Sequence, residues 1–189
     1  MAKQEDRLFI GRIAPHKRVE DLILAYQRFR AEHAPRATLL LVGDYRCTER
    51  YHLALRELIE RRAITGIRFT GQVSEEELEA CFRAASVLVT LSAHEGLCLP
   101  VLEALAAGKP AITTRYNGAA DFLGEGEYGI TIDEPTDIQA LADALQRLCD
   151  PKQQQQFCQR IEADRVFEQV SIRRHVAELI KIYRGIRRR

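Results

Sequence analysis

Strand-like apolar runs alternate with helical patterns about six times along the chain, which predicts an α/β fold: one parallel sheet of about six strands covered by helices on both faces. Two kinds of observation carry this. The run Val87–Leu91 (VLVTL) is apolar and β-branched, as in a strand buried on both sides, and Thr38–Val42 (TLLLV) reads the same way. Between such runs lie apolar stripes at helical spacing, of which Leu22, Ile23, Tyr26 and Phe29 form the clearest. Right-handed crossovers between parallel strands put ligand sites outside the strands' C-terminal ends.

In chain order, the first strand is expected at Leu8–Gly11, followed by the loop RIAPHKRVED and a helix from Val19 to Glu32. Thr38–Val42 is the second strand, with Gly43-Asp44 turning out of it. A helix from Glu49 to Arg62 carries Leu53, Leu55, Leu58 and Ile59, and His52 on it reads as a surface or packing residue rather than a ligand. Ile67–Thr70 is the third strand, and Gly71-Gln72-Val73 leads to Ser74-Glu75-Glu76-Glu77, a capping-box helix start. After Val87–Leu91, a fifth strand is expected at Ala111–Thr113, then a turn at Tyr116-Asn117-Gly118 and a brief helix through Phe122. Gly129–Ile132 is the sixth strand, and Asp137 caps a helix through Cys149. Beyond Asp150-Pro151 the pattern is helical. Ser171 starts a last helix, Ile172 to Arg187, with Val176, Leu179, Ile180 and Tyr183 set against arginines and a lysine. Residues 1–189 thus read as one domain, with 151–189 as a helical extension.

The richest stretch is Ser92–Pro110, SAHEGLCLPVLEALAAGKP. It reads as a strand end, a loop, and a helix with Pro100 at its first position and Gly108 followed by Pro110 at its stop. Glu95 falls in the loop and Glu103 in the expected first turn. An ionised carboxylate accepts two hydrogen bonds side by side, which suits the two donors of a vicinal diol. A helix start also offers free N–H groups and partial positive charge, which suit phosphate. Two glutamates alone are better explained as solvated charges.

The surrounding pattern, HEG…P…EAxAxGxP with glutamates eight positions apart, resembles the donor-binding motif of retaining glycosyltransferases of group 1, built from two Rossmann-like domains in the GT-B fold. Three further motifs agree with the resemblance. Gly11-Arg12 and Lys17 match G-R-x-x-x-x-K after the first strand, Gly43 lies in a V-G-D turn, and Phe69, Gly71 and Val73 match F-x-G-x-V. The resemblance covers residues 8–149 and implies a Rossmann-like three-layer domain, the C-terminal half of a GT-B fold. It implies a nucleotide-diphosphate sugar as donor substrate, no other cofactor and no metal. Arg12 and Lys17 would stabilise the diphosphate leaving group, and Glu95 would hold the donor sugar with backbone N–H groups of Gly96, Leu97, Cys98 and Leu99. Glu103 would bind the ribose, and Gly11, Gly43, Gly71 and Val73 would lie against the nucleotide. The family usually has glycine after the lysine, where Arg18 stands, and aromatic-glycine where Leu97-Cys98 stands. In the family the acceptor is held by an N-terminal domain, so this chain is expected to be a donor half whose partner is that missing domain.

The totals narrow the alternatives. A formal net charge of +1 makes no global case for nucleic acid. No apolar run approaches a membrane span, and MAKQEDRLFIG holds no stretch long enough for a secretory signal. Five cysteines without C-x-x-C or zinc spacing fit reduced thiols in a cytoplasm. The basic end of the last helix is explained by the helix dipole. Its sharper reading is a weak contact with anionic lipid at the inner membrane face. A non-catalytic nucleotide-sugar-binding module would keep the same pocket. A flavodoxin-like receiver would want acidic residues where Arg12 and Lys17 lie. A related GT-B epimerase or phosphorylase completes the alternatives, the phosphorylase needing a cofactor-bearing lysine that the sequence does not identify.

Overall fold

The computed structural model describes residues 6–169 together with 171, 173, 174, 176, 177 and 179–181. Six strands run through it: β1 (Asp6–Ile10), β2 (Thr38–Val42), β3 (Ile67–Gly71), β4 (Ala85–Val89), β5 (Ala111–Thr114) and β6 (Gly129–Ile132). They form one sheet in the order β3-β2-β1-β4-β5-β6, with every neighbouring pair parallel. The order reverses between β1 and β4, which makes the gap above that pair the topological switch point where open α/β sheets bind ligands.

The helices are α1 (Val19–Glu32), α2 (Glu49–Arg61), α3 (Glu75–Ala84), α4 (Leu99–Ala106), α5 (Ile138–Cys149), α6 (Pro151–Ala163) and α7 (Val166–Gln169). Strand residues alternate between two cores, as the period of two requires. Leu39, Leu41, Val87, Val89 and Ile112 pack with the stripes of α1 and α5. Val42, Leu88 and Ala111 pack with Val101, Ala104 and Leu105 of α4 and Phe82 of α3. Three layers result, as the alternation of elements predicts.

Several boundaries differ from the sequence reading for identifiable reasons. β4 begins at Ala85 because α3 runs straight into it with no linker. Thr90 and Leu91 are buried but lie beyond the strand, although the Thr90 amide still donates to the Ile112 carbonyl at 2.9 Å. On α2 the inward residues are His52 and Leu55, while Leu53 is 55% exposed. His52 fills its place by stacking on Tyr45, with ring centroids 4.0 Å apart, and by meeting Phe69 edge-on at 4.8 Å. Asp137 caps α5 through its carboxylate on the Ala140 amide, and Ser74 with Glu77 forms the capping box of α3.

The expected last helix falls partly outside the described residues. Positions 173, 174, 176, 177 and 179–181 are helical, and Val176, Leu179 and Ile180 are exposed there. Among the described residues no helix is long and apolar enough to cross a membrane.

Candidate functional site

Because the sheet is parallel, the loops after β1, β2, β3 and β4 all leave from one edge. The first three are stitched together by their glycines. The Gly11 amide donates to the Val42 carbonyl at 2.9 Å, and the Gly43 amide donates to the Gly71 carbonyl at 3.0 Å. Gly43 adopts φ +149°, and a Cβ there would overlap the Gly11 carbonyl oxygen. Only glycine lets the two strand tips approach so closely. The Ile13 amide reaches the Asp44 carbonyl at 2.9 Å, and Thr48 donates its hydroxyl to the Ile13 carbonyl. Asp44 itself is gripped by Arg46, which draws its carboxyl down to about 2 and also reaches Gln72 at 3.0 Å. Val73 is half-buried against the α3–α4 core.

The loop after β1 ends in a short 3₁₀ turn, Pro15–Lys17, closed by Arg18 in the left-handed conformation at φ 53°, ψ 43°. A glycine would hold that conformation without strain. Arg18 is held there by its side chain instead. Its Nε donates to Asp21 Oδ2 at 2.6 Å, so its charge is spent on the first turn of α1 rather than on the rim. Arg12 is exposed on the same loop.

Lys17 and Glu95, 78 positions apart in sequence, meet across the switch point. The Lys17 Nζ donates to Glu95 Oε1 at 2.6 Å, and the pair is largely covered, with side chains 12% and 22% exposed. The second carboxylate oxygen is also taken: Ser92 Oγ donates to Glu95 Oε2 at 2.7 Å. Burial alone would raise the Glu95 carboxyl. The bonds from Lys17 and Ser92 outweigh it and hold the group below its ordinary value, with the Cys98 thiol acting in the same direction. Ser92 is fully buried, 3.3 Å from Thr90 Oγ1, and its carbonyl accepts from Thr114 Oγ1 at 2.8 Å.

The backbone of Glu95 is pinned on both sides by the loop after β5. Its amide donates to the Tyr116 carbonyl at 3.1 Å, and its carbonyl accepts from the Gly118 amide at 3.1 Å. Asn117, buried, ties that loop down through Thr113 Oγ1 at 2.9 Å and the Ala119 amide at 3.0 Å. A Cβ on Gly118 would overlap the Gly96 carbonyl oxygen. The Ala93 amide donates to the His16 carbonyl at 2.9 Å, which joins the Glu95 loop to the Lys17 loop. From the sequence, Asn117-Gly118 reads as a plain turn and Ser92 has no role. The S-x-x-E spacing of Ser92 and Glu95 was the available signal, since it has the look of a capping box with no helix behind it.

Past Glu95, the amides of Gly96, Leu97 and Cys98 make no backbone hydrogen bond among the described residues. They lead into the start of α4, where the helix dipole adds positive potential. Leu97 and Leu99 are 47% and 59% exposed on this lip, whereas Cys98 turns inward and burial pushes its thiol up. The helix starts at Leu99, one residue earlier than expected, so Pro100 is its second residue and Glu103 lies just past the first turn. Glu103 is exposed to solvent yet crowded enough for desolvation to raise its carboxyl, and it has no hydrogen-bond or ionic partner among the described residues. The C-terminus of α4 is closed by a Schellman motif. The Gly108 amide reaches the Leu105 carbonyl at 3.0 Å, and the Lys109 amide reaches the Ala104 carbonyl at 2.8 Å. The two glutamates of the motif are therefore unlike: Glu95 is bound on both oxygens and Glu103 on neither.

Comparison with known proteins follows the same geometry. A family model described as glycosyl transferases group 1 matches residues 2–164. The O-antigen chain mannosyltransferase B of Escherichia coli is 36% identical over 152 residues, covering 79% of this chain and 38% of the relative. A glycogen synthase of Mycobacterium tuberculosis is 32% identical over 143 residues, covering 76% of this chain and 33% of the relative. The chain thus spans about a third of the length of these two. Among solved structures, the C-terminal domain of a group 1 glycosyl transferase from Francisella tularensis superposes with a TM-score of 0.75 at 25% identity, covering 83% of this chain and 82% of that one. An Anabaena protein solved with UDP and glucose superposes with a TM-score of 0.79 at 23% identity, covering 95% of this chain and 49% of that one. The fold is the Rossmann-like α/β domain of GT-B glycosyltransferases.

Proposed function

Since the chain belongs to the group 1 glycosyl transferases, we propose that its loop rim binds a nucleotide-diphosphate sugar and presents it for transfer to an acceptor with retention at the anomeric carbon and without a metal. The observation that supports this most is the meeting of Lys17 and Glu95 above the β1–β4 switch point, beside the amides of Gly96–Cys98, which make no backbone hydrogen bond among the described residues. In this reading Lys17 and Arg12 face the diphosphate, where negative charge grows as the sugar departs and electrostatic stabilisation acts most strongly. The amides at the α4 start share that charge. Glu103, whose carboxylate meets no partner among the described residues, takes the ribose hydroxyls. Glu95 takes hydroxyls of the sugar. Gly11, Gly43, Gly71 and Val73 shape the floor under the nucleotide, and Leu97 and Leu99 form an apolar lip beside the sugar. The acceptor is held by a second domain facing this rim.

Calorimetric titration of UDP, GDP and ADP into the protein tests the reading. At least one is expected to bind at a single site and to be weakened by Lys17→Ala, which should leave the weak affinity of the matching nucleoside unchanged. Failure of all three to bind, or equal losses for nucleoside and diphosphate, would overturn it.

A further inference from the structure

The Lys17–Glu95 pair raises a problem for a donor site. The cation that would meet the diphosphate is already engaged, and so is the carboxylate that would meet the sugar. We propose that this ion pair is a latch, opened when a diphosphate draws Lys17 away, with Ser92 acting as a positioning residue that keeps the freed Glu95 carboxylate in place. The proposal rests on the donor-site reading above.

The two partners differ in what can move. Glu95 is fixed through its amide to Tyr116, through its carbonyl to Gly118, and through Oε2 to Ser92. Ser92 is itself buried and anchored by Thr114. The Ala93–His16 backbone bond keeps the two loops from parting. Lys17 is tied at its backbone, where its amide donates to the Ala14 carbonyl at 2.9 Å, but its ammonium sits at the end of a four-carbon stem. Opening is therefore a swing of the lysine side chain. The carboxylate stays where it is, with Oε2 still on Ser92 and Oε1 vacated.

The vacated oxygen gives the latch its consequence. A nucleoside diphosphate without a sugar takes Lys17 but leaves Oε1 of a half-buried carboxylate unpaired, which is costly. An intact sugar nucleotide takes Lys17 and supplies hydroxyl donors to the same oxygen. The device therefore favours the donor over the diphosphate product left after transfer. Return of Lys17 to Glu95 also helps to expel that product.

Affinities of UDP, GDP and ADP, of UDP-glucose, GDP-mannose and ADP-glucose, and of inorganic pyrophosphate test this in four variants, each checked for an unchanged circular-dichroism spectrum. Glu95→Gln removes the latch's charge, so the diphosphate that binds best should bind about three- to tenfold more tightly. The same substitution should reduce the preference for the sugar nucleotide over its diphosphate. In the Lys17→Ala background Glu95→Gln should give no such tightening, because there is no latch left to open. Ser92→Ala should leave diphosphate affinity within about twofold while reducing the sugar-nucleotide preference, a readout that a purely structural serine would not move. Equal tightening with and without Lys17 would reduce the effect to bulk repulsion and overturn the latch, as would an unchanged affinity in Glu95→Gln. Either result leaves the donor site standing. If neither the wild type nor Glu95→Gln binds any diphosphate or pyrophosphate, the donor site and the latch fall together.

Discussion

The two motif glutamates have opposite electrostatic positions, and this can be read in pH. The Glu103 carboxyl is raised by desolvation with nothing to offset it. A carboxyl whose folded value lies above its unfolded one, about 4.3, stabilises the fold only below that value. Its contribution is lost as pH rises through the folded value. Glu103→Gln should therefore make the ligand-free protein more stable than wild type at neutral pH, with the difference vanishing in acid, as thermal melts across pH 3–8 would show. The same substitution should weaken nucleoside diphosphate binding by about tenfold or more, since a charged acceptor is lost from the ribose site. A residue that costs stability and sustains binding is what a functional group is expected to be. Glu95 has the reverse sign: its held-down carboxyl stabilises above about 4.3 and loses that contribution as pH falls through its lower folded value. An unchanged melt and an unchanged affinity in Glu103→Gln would remove the ribose assignment.

At the scale of elements, the site depends on close backbone approaches more than on side chains. The loop after β5 lies against the Glu95 loop with no room for a Cβ at Gly118. Gly118→Ala should displace the Gly96 carbonyl, lower stability by about 1–3 kcal/mol, and weaken sugar nucleotides more than it weakens diphosphates. Urea unfolding and calorimetry measure both; a neutral Gly118→Ala would show that the two loops yield easily. Such contacts mark the limit of what sequence conveys. Hydrophobic period and capping chemistry are local, so Thr38–Val42, Val19–Glu32 and the Ser74 box are legible residue by residue. The loops carrying Arg12, Lys17 and Glu95 are legible too, because each follows a recognisable strand, and Glu103 lies in the helix that follows the last of them. The Lys17–Glu95 pairing is not, since it depends on β1 and β4, which are separated in sequence by β2 and β3, lying side by side in the sheet. Nor is the left-handed Arg18, because a propensity argument places glycine there and only the Asp21 contact explains the arginine. For His52 the sequence leaves open surface or packing, and packing is the outcome because Tyr45 and Phe69, from other elements, close around it.

At the scale of the molecule, one rim is not an enclosure. Sugar transfer needs the acceptor hydroxyl held against the anomeric carbon and water kept away, which requires a wall opposite the rim. These 189 residues are therefore expected to bind a nucleoside diphosphate yet transfer no sugar until a domain holding the acceptor is supplied. On the proposed reading binding should survive EDTA, because Arg12 and Lys17 would do the work of a metal. Robust transfer by these residues alone, assayed with sugar nucleotides and broad acceptors, would refute the two-part enzyme. A requirement for a divalent ion would refute the role given to the cations. The strand order has one more consequence, which concerns how the chain tolerates cutting. β1 comes first among the described strands, yet it lies in the interior of the sheet, hydrogen-bonded to β2 on one side and β4 on the other. A protease nick or a cloning boundary just after Ile10 would not trim this protein. Losing β1 would divide the sheet along its seam, leaving β3-β2 and β4-β5-β6 as two part-sheets of one polypeptide, each with a raw edge where β1 had paired.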